Sequence, residues 1–210
     1  MFPIGDDIPS KRRPILMWVF IILSSIIFLI QDEYITRNFG FVPVRFWFSG
    51  EWVQTLTYMF LHGNLIHILG NMYYLYIFGD NVEDELGRFG FLLLYITAGV
   101  TGALFHAIFY PYSHIPLVGA SASISGILSA YMIMFPNAGI YTYILFWYLV
   151  KVPAYFFIGF WILMNYIYAI SGIETGIAWW AHIGGFVAGV PFGIFGRIKR
   201  IFSSNGGDIL

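Results

Sequence analysis

Long apolar runs, separated by short polar or Gly- and Pro-containing stretches, dominate the chain. About 20 apolar helical residues cross a hydrocarbon core of ~30 Å. Runs near that length fill 14–30, 64–79, 91–110, 119–135, 153–171 and 178–196, and each predicts a membrane-spanning helix. A seventh apolar stretch, 139–150, is short and lies between Pro136 and Pro153. The first run follows Lys11, Arg12 and Arg13, as in a signal peptide. Its 17 residues are long for that role, and Gln31, Asp32 and Glu33 stand where a small-residue cleavage site belongs. It reads as a retained first span. Asp6 and Asp7 argue against a mitochondrial transit peptide, which is poor in acids.

Charge orients the spans. Lys11, Arg12 and Arg13 at one end and Arg197, Lys199 and Arg200 at the other both favour the cytoplasmic side, which requires an even number of spans and leaves 139–150 out. Six spans also put the loops around Arg88 and Lys151 inside, so eight of the ten basic residues are cytoplasmic and only Arg37 and Arg45 are external. The long external connection 31–63 carries Trp47, Phe48, Trp52, Tyr58 and Phe60 and is predicted to lie at the interface. The chain thus reads as an all-α polytopic membrane protein. It divides into a cytoplasmic leader at 1–13, a six-span membrane domain at 14–198 and a cytoplasmic tail at 199–210, disordered from Ser203 onward.

Composition agrees, with 59% hydrophobic, 21% aromatic and only 10% charged residues, where an average soluble domain is roughly a quarter charged. A net charge of -1 and dispersed basic residues exclude a nucleic-acid surface. The absence of Cys removes disulfides, thiolate metal sites and a Cys nucleophile. Chemistry must come from Ser, His, Asn or water, with no cofactor.

Polar groups at membrane depth are costly and mark function. In this topology the second, fourth and sixth spans all run from outside to inside. Ser121 and His182 then lie within roughly 3 to 6 Å of their helix starts, in one shallow layer. If Asn64 caps the second span, His67 is about one turn down and Asn71 lies one turn below it on the same face. This set suits nucleophilic catalysis, with His182 taking the Ser121 proton and returning it to a leaving amine. The helix N-terminus at Ser121, with His67 and Asn71, supplies donors for an oxyanion. Between Glu85 and Glu174 there is no Asp or Glu, so a dyad is expected, with packing against aromatic or small residues holding His182.

Each element also has a plainer reading. GASASISG (119–126) and the GxxxG formed by Gly185 and Gly189 suit close helix packing. His62 and His67 as metal ligands are disfavoured, because five-residue spacing does not put both on one helical face and no HExxH occurs. His106 and His114 fall near the outer end of the third span, where an interfacial role is expected.

Together the residues resemble the rhomboid intramembrane serine proteases. His62, His67 and Asn71, within LTYMFLHGNLIHILGNMYYL, reproduce that family's HxxxxHxxxN. Gly119, Ala120 and Ser121 look like its GxS, and Ala181, His182 and Gly185 match its AHxxG. FGDNVEDELG at 78–87 is similar to its loop after the second span. The resemblance implies a six-transmembrane-helix rhomboid-like bundle, Ser121 as nucleophile, His182 as general base, and an oxyanion site from the Ser121 amide, His67 and Asn71. It implies substrates that are themselves transmembrane helices, reaching the site past the fifth span. Three positions depart from the family's common pattern. Val53 and Gln54 replace Trp-Arg, which bears on loop anchoring. Ala122 follows the nucleophile where Gly is frequent, and Ser125 stands where an aromatic ring can stack on the histidine.

The reading is an intramembrane serine endopeptidase cleaving near the outer face, in the plasma membrane of a prokaryote. The rival is a non-catalytic membrane protein of the same fold that binds client transmembrane helices. A transporter is disfavoured, since no inverted repeat is seen and His is the only ionisable residue in the spans. The residues leave the oligomeric state open.

Overall fold

A computed structural model of the chain describes residues 2–144, 147–173 and 176–205. Eight helices carry most of it: α1 (Ile15–Ile30), α2 (Glu33–Phe39), α3 (Pro43–Ser49), α4 (Gln54–Thr57), α5 (Leu65–Phe109), α6 (Ser121–Met134), α7 (Ala154–Ser171) and α8 (Trp179–Asn205). α5 is two arms rather than one rod, because Gly87 adopts φ 74° and ψ 167°, a conformation that suits glycine. The stretch 78–87, read as a loop, is therefore helical up to the break. α5, α7 and α8 are long and apolar enough to cross a membrane, while α1 and α6 are shorter apolar helices. Large side chains such as Leu29, Ile66, Phe160, Leu163 and Phe195 are exposed around the bundle. An apolar exterior on this scale suits lipid, not water.

α6 sits at the centre. Its 14 residues span only ~21 Å, and every side chain from Ala122 to Tyr131 is buried, as expected of a helix that is apolar all round. α5 and α8 flank it so closely that a Cβ at Gly185 would collide with the Ala122 carbonyl and one at Gly189 with the Gly126 carbonyl. The packing reading of this GxxxG therefore holds.

The stretch 139–150 is where the sequence reading missed structure. A three-stranded antiparallel sheet joins β1 (Phe2–Asp6), β2 (Gly139–Ile144) and β3 (Tyr148–Pro153) in that order, with Pro3 opposite Thr142 and Ile140 opposite Val152. The leader is thus folded against the base of the bundle. Asp6 accepts from Tyr131 Oη (2.6 Å) and Asn81 Nδ2 (2.9 Å), and Asp7 pairs with Lys151 (2.7 Å). Glu83, only 3% exposed, accepts the backbone N–H groups of Ile15, Leu16 and Met17 at 2.8 to 3.0 Å. It caps α1, which has no side-chain cap of its own. At the other end α8 continues to Asn205, beyond the expected limit near 196 and into the tail. Residues 206–210 of the expected disordered tail lie outside the described residues.

The connection 31–63 forms α2, α3, α4 and a 3-10 turn at Tyr58–Phe60, with Trp47, Phe48 and Trp52 exposed. Gln54 anchors it in place of the missing Trp-Arg pair: buried, it accepts from Val42 N (3.1 Å) and donates to Asn38 O (3.1 Å) and Glu51 (2.5 Å). Phe41 and Leu117 exchange backbone hydrogen bonds of 2.7 and 3.0 Å, and Gly119 N donates to Tyr58 O (3.0 Å). The connection 31–63 thereby fixes the approach to α6.

Candidate active site

Ser121 is the first residue of α6, and the backbone before it decides where it points. Gly119 has φ 122°, and a Cβ there would stand 2.7 Å from His67 Nε2 and 3.4 Å from Asn71 Nδ2. Only glycine fits that turn. From this corner Ser121 Oγ reaches His182 Nε2 at 2.8 Å. His182 lies in the first turn of α8, held down by the contacts of Gly185 and by Ser125, whose Oγ donates to the His182 carbonyl at 2.6 Å. Ser125 thus serves the histidine's backbone rather than its ring.

α7 contributes the rest. His182 Nδ1 is 2.7 Å from Asn165 Oδ1, and the Asn165 amide donates through Nδ2 to the Trp161 carbonyl at 2.8 Å. With the Asn165 NH2 so committed, its oxygen is the acceptor. The imidazole then carries its proton on Nδ1 and presents the Nε2 lone pair to the Ser121 hydroxyl. The Trp161 ring lies 5.8 Å from the imidazole at 26°, and Trp179 meets it edge-on at 5.9 Å. The expectation that packing alone orients His182 is corrected here: aromatic rings flank it, and a side-chain amide bonds it.

Asn64 caps α5 by accepting from His67 N at 2.9 Å, as the sequence suggested. His67 Nδ1 accepts from Gly63 N at 3.4 Å, which leaves Nε2 to carry the proton of the neutral ring and makes it a donor. Asn71 is 8% exposed, and its Nδ2 has no hydrogen-bond partner among the described residues. Both donors border Gly119 and, with Ser121, Tyr74, Trp161 and His182, line a cavity of about 670 Å³. Two donors beside a hydroxyl paired with an imidazole form an arrangement able to stabilise an oxyanion.

The other histidines stand apart from this cavity. His62 is fully buried behind His67, its ring 5.2 Å away and nearly perpendicular, and its backbone is clamped by both ends of the Gln31 amide. His106 packs against Tyr110 at the end of α5, and neither it nor His114 lines the cavity. The Ala122 methyl turns toward Gly102 on α5 instead of crowding the serine. Asn165 is the partner that sequence reasoning missed. Its signal was present, since Asn165 is an amide side chain within the apolar run 153–171.

The fold and the site define a polytopic helical membrane protein with a half-buried Ser-His pair opening onto a cavity. The Rhomboid domain matches residues 49–199, more than half of the chain, and the chain belongs to the rhomboid family. It is 40% identical over 82 residues to the rhomboid protease GluP of Bacillus subtilis, covering 39% of this chain and 16% of that one. It is 32% identical over 121 residues to the chloroplastic Rhomboid-like protein 11 of Arabidopsis thaliana, covering 58% and 42%. Over 98 residues it is 34% identical to the rhomboid protease AarA of Providencia stuartii, covering 40% and 35%. The chain thus spans less than half the length of these curated relatives.

Proposed function

We propose that the protein is an intramembrane serine endopeptidase that cleaves transmembrane helices of membrane-protein substrates near the outer face. The observation that carries this is the 2.8 Å contact of Ser121 Oγ with a His182 ring whose other nitrogen is already bonded. Ser121 Oγ attacks the peptide carbonyl carbon as His182 Nε2 takes its proton. The oxyanion is held by His67, Asn71 and the Ser121 backbone N–H at the positive end of α6. Collapse expels the amine, which receives the proton from His182. Water activated by the same imidazole then hydrolyses the acyl-enzyme.

Six spans with both termini cytoplasmic complete the reading: α1, the two arms of α5, α6, α7 and α8. Lateral access past α7 fits its packing, since only 28% of its apolar window is buried, against 44% for α5 and 39% for α8. Because a helical peptide bond is shielded by its own hydrogen bonds, substrates should carry small or helix-weakening residues at the cut.

The test is labelling of detergent-solubilised protein with a fluorophosphonate, followed by cleavage of a model transmembrane substrate. Wild type and Ser125→Ala label, while Ser121→Ala and His182→Ala do not. A folded wild type that neither labels nor cleaves would overturn the proposal in favour of a client-binding rhomboid.

A further inference from the structure

We infer that Asn165 is a positioning residue of the hydrolytic site, fixing His182 in the tautomer that accepts the serine proton; this rests on the proposed protease function. The imidazole of a Ser-His pair can carry its proton on either nitrogen, and only the Nδ1–H form leaves Nε2 free to act as base. Packing by Trp161 and Trp179 orients the plane of the ring but does not choose between tautomers. Asn165 Oδ1, 2.7 Å from Nδ1, does choose, because an amide oxygen only accepts.

The asparagine amide is itself held in one orientation. If its amide turned over, Nδ2 would face Nδ1 and Oδ1 would face the Trp161 carbonyl, an acceptor opposite an acceptor. The Nδ2 bond to Trp161 O at 2.8 Å therefore locks the amide, and through it the imidazole. The spacing i, i+4 makes Trp161 serve twice, through its carbonyl for Asn165 and through its ring for His182. Asn165 itself is buried, at 3% exposure, so water has little access to its amide. During attack the ring becomes imidazolium, and the Nδ1–H···Oδ1 bond becomes charge-assisted and stronger. An interaction that strengthens in the transition state acts on kcat more than on KM.

The experiment uses the full chain in detergent and a model transmembrane substrate, comparing wild type with Asn165→Leu, Asn165→Asp and Ser121→Ala. Asn165→Leu is expected to lower kcat about 10- to 100-fold with KM nearly unchanged. Asn165→Asp is expected to recover most of the loss. Ionised, it accepts from Nδ1–H; protonated, it donates to the Trp161 carbonyl and still accepts with its other oxygen. Nitrogen-15 NMR of histidine-labelled protein reads the tautomer independently of turnover: His182 shows a protonated Nδ1 in wild type and Asn165→Asp, and a tautomer mixture in Asn165→Leu. Asn165→Leu with wild-type kcat and an unchanged His182 tautomer would overturn the inference while leaving the protease reading intact. A wild type that does not cleave would overturn the protease reading. Equal losses of kcat in Asn165→Leu and Asn165→Asp with the wild-type His182 tautomer kept in both, in folded protein, would mark the residue as packing only.

Discussion

Gly102 on α5 stands where three helices meet, and adding one methyl there should cost more in activity than in stability. A Cβ at Gly102 would lie 2.5 Å from Ala122 Cβ and 2.7 Å from the Ala181 carbonyl oxygen. Carbon atoms prefer ~3.5 to 4.0 Å. Neither neighbour can rotate away, since one is fixed to the α6 backbone and the other belongs to α8. The helices must part by about 1 Å. Overpacking costs ~1 to 3 kcal/mol, and replacing Gly by Ala in a helix returns ~0.8 to 1 kcal/mol, so the net loss of stability is at most about 2 kcal/mol. Ala122 follows Ser121 and Ala181 precedes His182, so the displacement falls on the 2.8 Å Ser-His contact. A misplacement of ~1 Å costs on the order of 100-fold in rate, or ~2.7 kcal/mol of barrier. Fluorophosphonate labelling rates and thermal midpoints in micelles measure both quantities. Gly159→Ala is the control, because its Cβ meets nothing within 4 Å. Gly102→Ala labelling within about threefold of wild type would refute the reasoning.

Three further outcomes follow from the same contacts. Glu83→Ala deprives three α1 N–H groups of their acceptor and should cost ~2 to 4 kcal/mol, read as a lowered thermal midpoint; an unchanged midpoint would show that water replaces the carboxylate without loss. Ser125→Ala removes one bond to the His182 carbonyl and should cost ~1 kcal/mol of stability while labelling persists, and loss of labelling would mean that this bond is required to hold the site. Asp6 has its pKa raised from 3.8, chiefly by burial. Its folded pKa lies above the unfolded one, so its contribution to stability is full below 3.8 and declines as pH rises through the folded value. The thermal midpoint should therefore show a component that falls with rising pH above 3.8 and is absent in Asp6→Asn, whereas Asp7, lowered by Lys151, titrates with the opposite sign below that window.

The membrane helices were legible because lipid demands long apolar runs, and each described helix of the bundle core overlaps a run marked in the sequence. The ends were less legible. Capping and tertiary contact set them, so α8 runs on to Asn205, and the apolar runs 64–79 and 91–110 join in one helix whose arms part only at Gly87. The sheet was not legible at all. Its strands are short, and β1 pairs with β2 across more than 130 residues of sequence, a contact no local pattern encodes. The acidic run 80–85 likewise showed charge but not purpose, because its partners sit in the leader, at the start of α1 and, for Glu85, at Arg200 on α8.

Within the site, residues that face one another along a single helix could be found by spacing, and His67 and Asn71 were. Ser121 and His182 were paired by depth. Asn165 stood out as polar but had no assignable partner, because which face of α7 meets α8 depends on packing. Its chemistry also explains the acid-free interval from Glu85 to Glu174. A carboxylate at this depth would be charged in a nearly dry interior, at a cost of several kcal/mol, and Asp in a membrane helix is disfavoured by ~2.5 to 3.5 kcal/mol. An asparagine presents an oxygen to the same ring nitrogen without a charge to desolvate, and its second hydrogen bond, to Trp161, satisfies the donor that remains. The absence of acids thus left the orienting position to an uncharged acceptor, and α7 supplies one at 2.7 Å.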